Sequence, residues 1–261
     1  MIGVFDSGIG GLTVVRALLD RLPDHDIIYL GDTARTPYGS KSADTIIRYS
    51  LNNTNFLLRN GAKLIVIACN TASSYAYQAV RDQFNLPVFE VIGPGASLAV
   101  SRSKRFRIGV IGTRATIASG IYEEKIKQIQ SRAQVYAVPC PLLVPLVEEG
   151  WLKKPESAMI VRKYLRPLKT KQIDTLILGC THYPVLRPLI QKKAGSQVAL
   201  VDSAEAIAEQ VGTYLDVPKP ATVHQSKSRK LNIFVTDTAE QFRKTAHLIL
   251  RQPIPIQQAD L

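Results

Sequence analysis

The chain has 261 residues, 46% hydrophobic and 21% charged, with 33 basic against 21 acidic residues and a formal net charge of +12. That length permits one large domain or two smaller ones, and the composition excludes a disordered or fibrous chain. No apolar run approaches the ~20 residues of a membrane helix, and three cysteines are too few, and odd, for a disulfide framework.

The opening MIGVFDSG reads as strand and turn and lacks the basic flank and cleavage site of a secretory leader. Free thiols and no leader predict a cytoplasmic protein. Neither CxxC nor HxxxH spacing occurs, so no metal site is expected. The basic excess suits anionic partners in general. Its two clusters are Arg102, Lys104, Arg105 and Arg107, then Lys227, Arg229 and Lys230. Only Phe106 adds a ring, which is not a stacking platform, so they read as solvated surface and no specific nucleic acid is expected.

In chain order, an apolar strand at 2–5 runs into the polar turn Asp6-Ser7-Gly8 and a helical stretch at 12–22. A strand at 27–30 precedes GDTARTPYG and a helix at 43–60. The run 64–68 ends at Cys69 and leads to a helix at 72–84, and a strand follows at 88–91. A second series opens at 107–111, with the turn Gly112-Thr113-Arg114-Ala115-Thr116 and a helix at 118–130. It continues with a strand at 135–138, a helix at 155–168, a strand at 175–178 that ends near Cys180, and a strand at 198–201. A helix at 204–215 and a strand at 231–235 complete the pattern. Residues 216–228, with Pro218 and Pro220, read as a loop, and the tail from 253 as loose.

Strands alternating with helices give an α/β fold with parallel sheets. The two series echo one another: each supplies an early polar turn and, at a similar distance, a Cys at a strand end. Two similar domains are therefore expected, each a mostly parallel sheet flanked by helices, with the active site in the cleft between them. The first would comprise residues 1–95 and 208–261, the second 96–207. The alternative is one long sheet with a coincidental echo.

The chemistry centres on LIVIACNTAS and LILGCTHYP. A single Cys after a strand reads as core. Two of them, each beside Thr, one beside Asn70 and one near His182, point to one ligand met from two sides, because open α/β sheets bind ligands at strand carboxyl ends. Cys140, in VPCPLLVP, lacks this setting and reads as structural. Gly8-Ile9-Gly10-Gly11 is not GxGxxG, so a dinucleotide is not expected.

The segments GVFDSGIGGLTV, DTARTPYG, ACNTAS, VIGTRATIASG, VPLVEEG and GCTHYP resemble the glutamate racemase family of cofactor-independent amino-acid racemases. The matches run from residue 2 to about 208. The resemblance implies interconversion of L- and D-glutamate by two opposed thiols with no cofactor, supplying D-glutamate for peptidoglycan. It assigns the D-isomer to Cys69 and the L-isomer to Cys180. It makes Asp6 the helper of Cys69 and His182 the helper of Cys180, with Glu148 orienting His182. It places Asp6, Ser7, Asn70, Thr71, Thr181 and His182 around the substrate, with Tyr38 and Gly39 from a binding loop and Thr113 and Thr116 as further contacts. Asp32 is a candidate for the site rim. The partner implied is glutamate, not a membrane, and a homodimer is compatible with the sequence.

Other readings stay open. They are an aspartate or related racemase, a hydrolase with Cys180 as nucleophile and His182 as base, and a basic polyanion-binding module.

Overall fold

The computed structural model describes residues 1–219, 229–238, 240–251 and 255–261. Strand β1 (Ile2–Asp6) is buried along its whole length, as a strand covered on both faces must be. After it come α1 (Leu12–Arg21), β2 (Ile27–Gly31), α2 (Ala43–Arg59), β3 (Leu64–Ile67), α3 (Asn70–Gln83), β4 (Val88–Glu90) and α4 (Ile92–Arg102). Short 3-10 turns lie at Thr33–Arg35 and Tyr38–Ser40. The second series is β5 (Arg107–Gly112), α5 (Arg114–Ala118), α6 (Ile121–Ile129), β6 (Gln134–Pro139), α7 (Leu143–Glu148) and α8 (Pro155–Thr170). It continues with β7 (Thr175–Gly179), a 3-10 turn (Tyr183–Leu186), α9 (Arg187–Ala194) and β8 (Ala199–Asp202). Then follow α10 (Ser203–Tyr214), β9 (Leu231–Val235), α11 (Glu240–Leu250) and β10 (Ile256–Gln258).

The strands form two sheets, ordered β10-β9-β2-β1-β3-β4 and β6-β5-β7-β8, and every pairing is parallel. Strip β9 and β10 from the first sheet and the two have the same order, with the opening strand second from one side. This is the repeat expected from the sequence, built as two domains rather than one long sheet. Alternate residues of each strand feed opposite faces. In the first sheet Val4 and Val66 join one core layer while Phe5 and Ile67 join the other. In the second, Leu176 and Leu178 face away from Ile177.

In each sheet the chain steps from the opening strand to one side and then to the other. The switch points therefore lie at the carboxyl ends of β1 and β3, and of β5 and β7. These ends carry Asp6, Cys69, Thr113 and Cys180. The expected division at 207/208 falls inside α10, which packs on both α1 and α4, so this helix belongs to the junction.

Several elements differ from the sequence expectation. The helix expected at 118–130 starts at Ile121 as α6, because Gly120 takes a left-handed φ of 69° before it, and the expected turn from Arg114 is the short helix α5. Helix α4 was not expected: Gly93, Pro94 and Gly95 oppose a helix, but they fall in its first turn, where Pro is tolerated. There the Glu90 carboxylate accepts the amides of Ile92 and Gly93. The tail is not loose throughout, since β10 pairs with β9. Of the expected loop, residues 216–219 carry no helix or strand; residues 220–228, Lys227 included, and residues 252–254 lie outside the described residues. Among the described residues no helix is long and apolar enough to cross a membrane.

Candidate active site

Two large surface clefts, of about 940 and 830 Å³, flank α10. Neither holds a thiol. The two strand-end thiols meet instead at an enclosed cavity of about 10 Å³ between the two domains. Cys69 and Cys180 line it, with Ser7, Tyr38, Gly39, Asn70, Thr71, Thr113, Thr181 and His182. Thus all but four of the residues singled out from the sequence line one wall or another of a single space. The exceptions are Asp6, which is wholly buried behind it, Thr116, buried beside Thr113, Asp32, buried under the Tyr38 loop, and Glu148, toward the outside. Two lining residues, Pro37 and Val144, fall within the quoted segments DTARTPYG and VPLVEEG but are apolar and are not among the expected site residues. About 10 Å³ hardly accommodates one water, so the closed space has no room for a substrate.

The Cys69 side is built by a strand-to-helix turn. Cys69 is the N-cap of α3, which puts Asn70 and Thr71 in the first helical turn, where free amides favour anions. The Cys69 thiol points to Ser7 Oγ at 3.6 Å. Burial and then the charge of Asp6 push its pKa up to about 12, so the unliganded site holds this sulfur as a thiol. Asp6 itself accepts the Gly8 amide at 3.0 Å and the Thr181 hydroxyl at 3.1 Å. The second bond crosses from one domain to the other. Burial raises the Asp6 carboxyl, against the pull of His182 and of these hydrogen bonds. Asp6 reaches Cys69 through its charge, not through a hydrogen bond.

The Cys180 side has no such helix. A four-residue 3-10 turn follows His182, and the ring curls back so that Nδ1 lies 3.8 Å from the Cys180 sulfur. Its Nε2 is 3.3 Å from Glu148 Oε1, but poorly aligned for an N–H bond and otherwise without a partner. Burial opposes charge on this imidazole. Contact with Cys180 and then Glu148 outweighs it, and the pKa is pushed up to about 10. Gly10 makes this packing possible: a Cβ there would run into Thr181 Oγ1 and His182 Nδ1.

Hydroxyls close the cavity across the domain boundary. Thr71 lies 3.0 Å from Thr113 and 3.1 Å from Thr116, which are 3.0 Å from each other. Thr113 also caps α5 by accepting the Thr116 amide. The Tyr38 loop is held from beneath. The Tyr38 hydroxyl donates to Asp32, which also takes the Arg35 guanidinium at 2.7 Å and the Thr236 hydroxyl at 3.1 Å. A Cβ on Gly39 would collide with Thr113, so only glycine lets this loop seal against the second domain. The third thiol, Cys140, is buried under Tyr183, whose hydroxyl donates to the Cys140 carbonyl, and it lies outside the cavity.

Cys69 and Cys180, one from each sheet, thus meet in one small space between two similar α/β domains. A family model for Asp/Glu/hydantoin racemases matches residues 12–211. The chain belongs to that family. It is an amino-acid racemase, and so an isomerase. A glutamate racemase of Persephonella marina is 47% identical over 260 residues, covering 100% of this chain and 97% of that protein. One from Syntrophus aciditrophicus is 46% identical, covering 97% and 94%. Among solved structures, a glutamate racemase isoform of Bacillus anthracis superposes with a TM-score of 0.93 at 36% identity, covering 100% of this chain and 97% of that one. The Francisella tularensis glutamate racemase, solved with D-glutamate, gives 0.88 at 36% identity, covering 98% and 95%. An aspartate racemase from Picrophilus torridus shares 20% identity at 0.59, which is likeness of fold.

Proposed function

We propose that this racemase interconverts L- and D-glutamate by a two-thiol proton relay between Cys69 and Cys180, without a cofactor, and so supplies D-glutamate for peptidoglycan. One observation carries the reading: two cysteines from different domains line a single cavity. A racemase must take the α-proton from one face of carbon and return a proton to the other, which calls for two acid/base groups on opposite sides. A Cys hydrolase would use one thiol and leave the other idle. The curated relatives support glutamate over aspartate.

In the relay, one sulfur acts as thiolate and takes the α-proton. The electron pair left on carbon spreads into the carboxylate, and the opposite thiol gives its proton to the other face. One turnover leaves the two sulfurs with their protonation states exchanged. Each must then return to its starting state through its neighbours. His182, at 3.8 Å, does this for Cys180, and Glu148 holds the imidazole. Asp6 sets the field at Cys69 and ties down Thr181. Asn70 and Thr71 at the start of α3, with Thr181 from the Cys180 side, hold the α-carboxylate and amino group, with Ser7, Thr113 and Thr116 beside them. Tyr38 and Gly39 form the part of the wall that moves when the domains open. We place the division between the domains at the start of α4, a few residues before the expected 95/96 because that helix packs on α6, β7 and β8, and within α10.

Chiral analysis of L-glutamate incubated with the purified protein, with L-aspartate in parallel and nothing else added, tests the reading. D-glutamate should accumulate until both enantiomers are equal, with aspartate turned over far more slowly. Activity on aspartate alone, or only after adding pyridoxal phosphate, would refute it.

A further inference from the structure

Asn70 lies against the cavity with 2% of its surface exposed, and its Nδ2 has no hydrogen-bond partner. A buried amide N–H₂ without an acceptor is costly and calls for an explanation. A ligand oxygen in the cavity would supply the acceptor. The other end of the same amide is firmly held: the Tyr122 hydroxyl donates to Asn70 Oδ1 at 2.6 Å. A carbonyl oxygen carries no proton, so the phenol must be the donor, and the amide is held with its N–H₂ edge away from Tyr122.

Tyr122 is itself immobilised. It is 3% exposed on α6 and packs in the second-domain core with Ile92, Ile177 and Val201. A Cβ on Gly179 would come within 3.1 Å of its ring, and one on Gly95 within 3.6 Å of its oxygen. Burial, and then the charge of Glu90, raise the phenol pKa, so the group keeps its proton at any working pH.

We infer that Tyr122 is a positioning residue that reaches across the domain interface and fixes the Asn70 amide with its N–H₂ edge turned to a carboxylate oxygen of the substrate. The inference rests on the glutamate racemase reading. Its chemistry is specific: charge builds on the carboxylate as the α-proton leaves, so a fixed donor there stabilises the transition state. Because Tyr122 and Asn70 belong to different domains, the amide is aimed only when the domains are closed.

Tyr122→Phe keeps the ring and removes the donor. In the otherwise native enzyme it should lower kcat/KM for glutamate about tenfold, the size of one lost buried hydrogen bond. In an Asn70→Ala background the same substitution should cost no more than about twofold, since Tyr122 would then have nothing to aim. Equal losses in both backgrounds would overturn the inference and leave Tyr122 a packing residue. A native enzyme inactive on glutamate would instead refute the reading beneath it. The positioning would then be decided in the free protein by the Asn70 side-chain ¹⁵N amide resonance. A shift in Tyr122→Phe supports a held amide, and an unchanged resonance overturns it.

Discussion

Cys69 and Cys180 leave matching strands of matching sheets, yet the chain does different things after each. Cys69 caps a 14-residue helix and has a hydroxyl for its nearest partner. Cys180 enters a four-residue 3-10 turn that brings an imidazole beside it, with a carboxylate behind. The scaffold is repeated and the acid/base setting is not. The difference is physically sensible. Racemisation needs two acid/base groups on opposite faces of one carbon, and the repeat brings two strand-end sulfurs to one cavity. Different settings let each sulfur be tuned by its own neighbours.

The largest expected effect comes from removing either sulfur. Cys69→Ala and Cys180→Ala should each lower racemisation by at least about 10³-fold in steady-state assays, because half a relay completes no inversion. Survival of either variant near native activity would break the comparison at its root. His182→Gln should cost about 10²-fold, in the range of a lost general acid/base group. The loss of kcat should be greater for turnover that begins at Cys180, with KM falling in step because the equilibrium constant of one keeps kcat/KM equal in the two directions; equal losses of kcat would remove the asymmetry. Glu148→Gln should cost about tenfold through the same imidazole, measured in both directions. Cys140→Ala is the control: activity should stay within about twofold, with at most a small fall in Tm for a lost buried sulfur.

The His182 environment also makes a stability prediction. Its pKa is raised from about 6.5 in the unfolded chain to about 10 in the folded one. A proton held more tightly in the native state stabilises it fully below about pH 6.5, and that stability is lost as pH rises through about 10. Cys69, pushed up to about 12, acts in the same direction at higher pH. Denaturant unfolding of native and His182→Gln protein from pH 6 to 10 checks this. The native protein should lose stability more steeply than the variant, and parallel curves would contradict the assigned shift.

The strands were legible because parallel strands buried on both faces read as unbroken apolar runs, as 64–67 and 176–178 do. The repeat was legible for a local reason: strand-end Asp, Thr and Cys recur at similar spacing. The elements that escaped notice were those whose local composition opposes them. Helix α4 begins Ile92-Gly93-Pro94-Gly95 and is rescued by the Glu90 carboxylate. Strand β10 is three residues long and exists through β9. Within the site, residues near a thiol in sequence announced themselves. Tyr122 did not, because its proximity to Asn70 is set by domain packing. Nor could spacing reveal that Asp6 bonds across the interface to Thr181, 175 positions away.

The central claim is that two sulfurs, one on each face, share the proton transfer. Isotope incorporation in deuterated water tests it most directly. Early in the reaction from L- or D-glutamate, product should carry solvent deuterium at the α-carbon while recovered substrate carries much less, because each sulfur meets only one face. Substantial original α-hydrogen in early product, at equal levels from both enantiomers, would mean a single base serving both faces and would contradict the account.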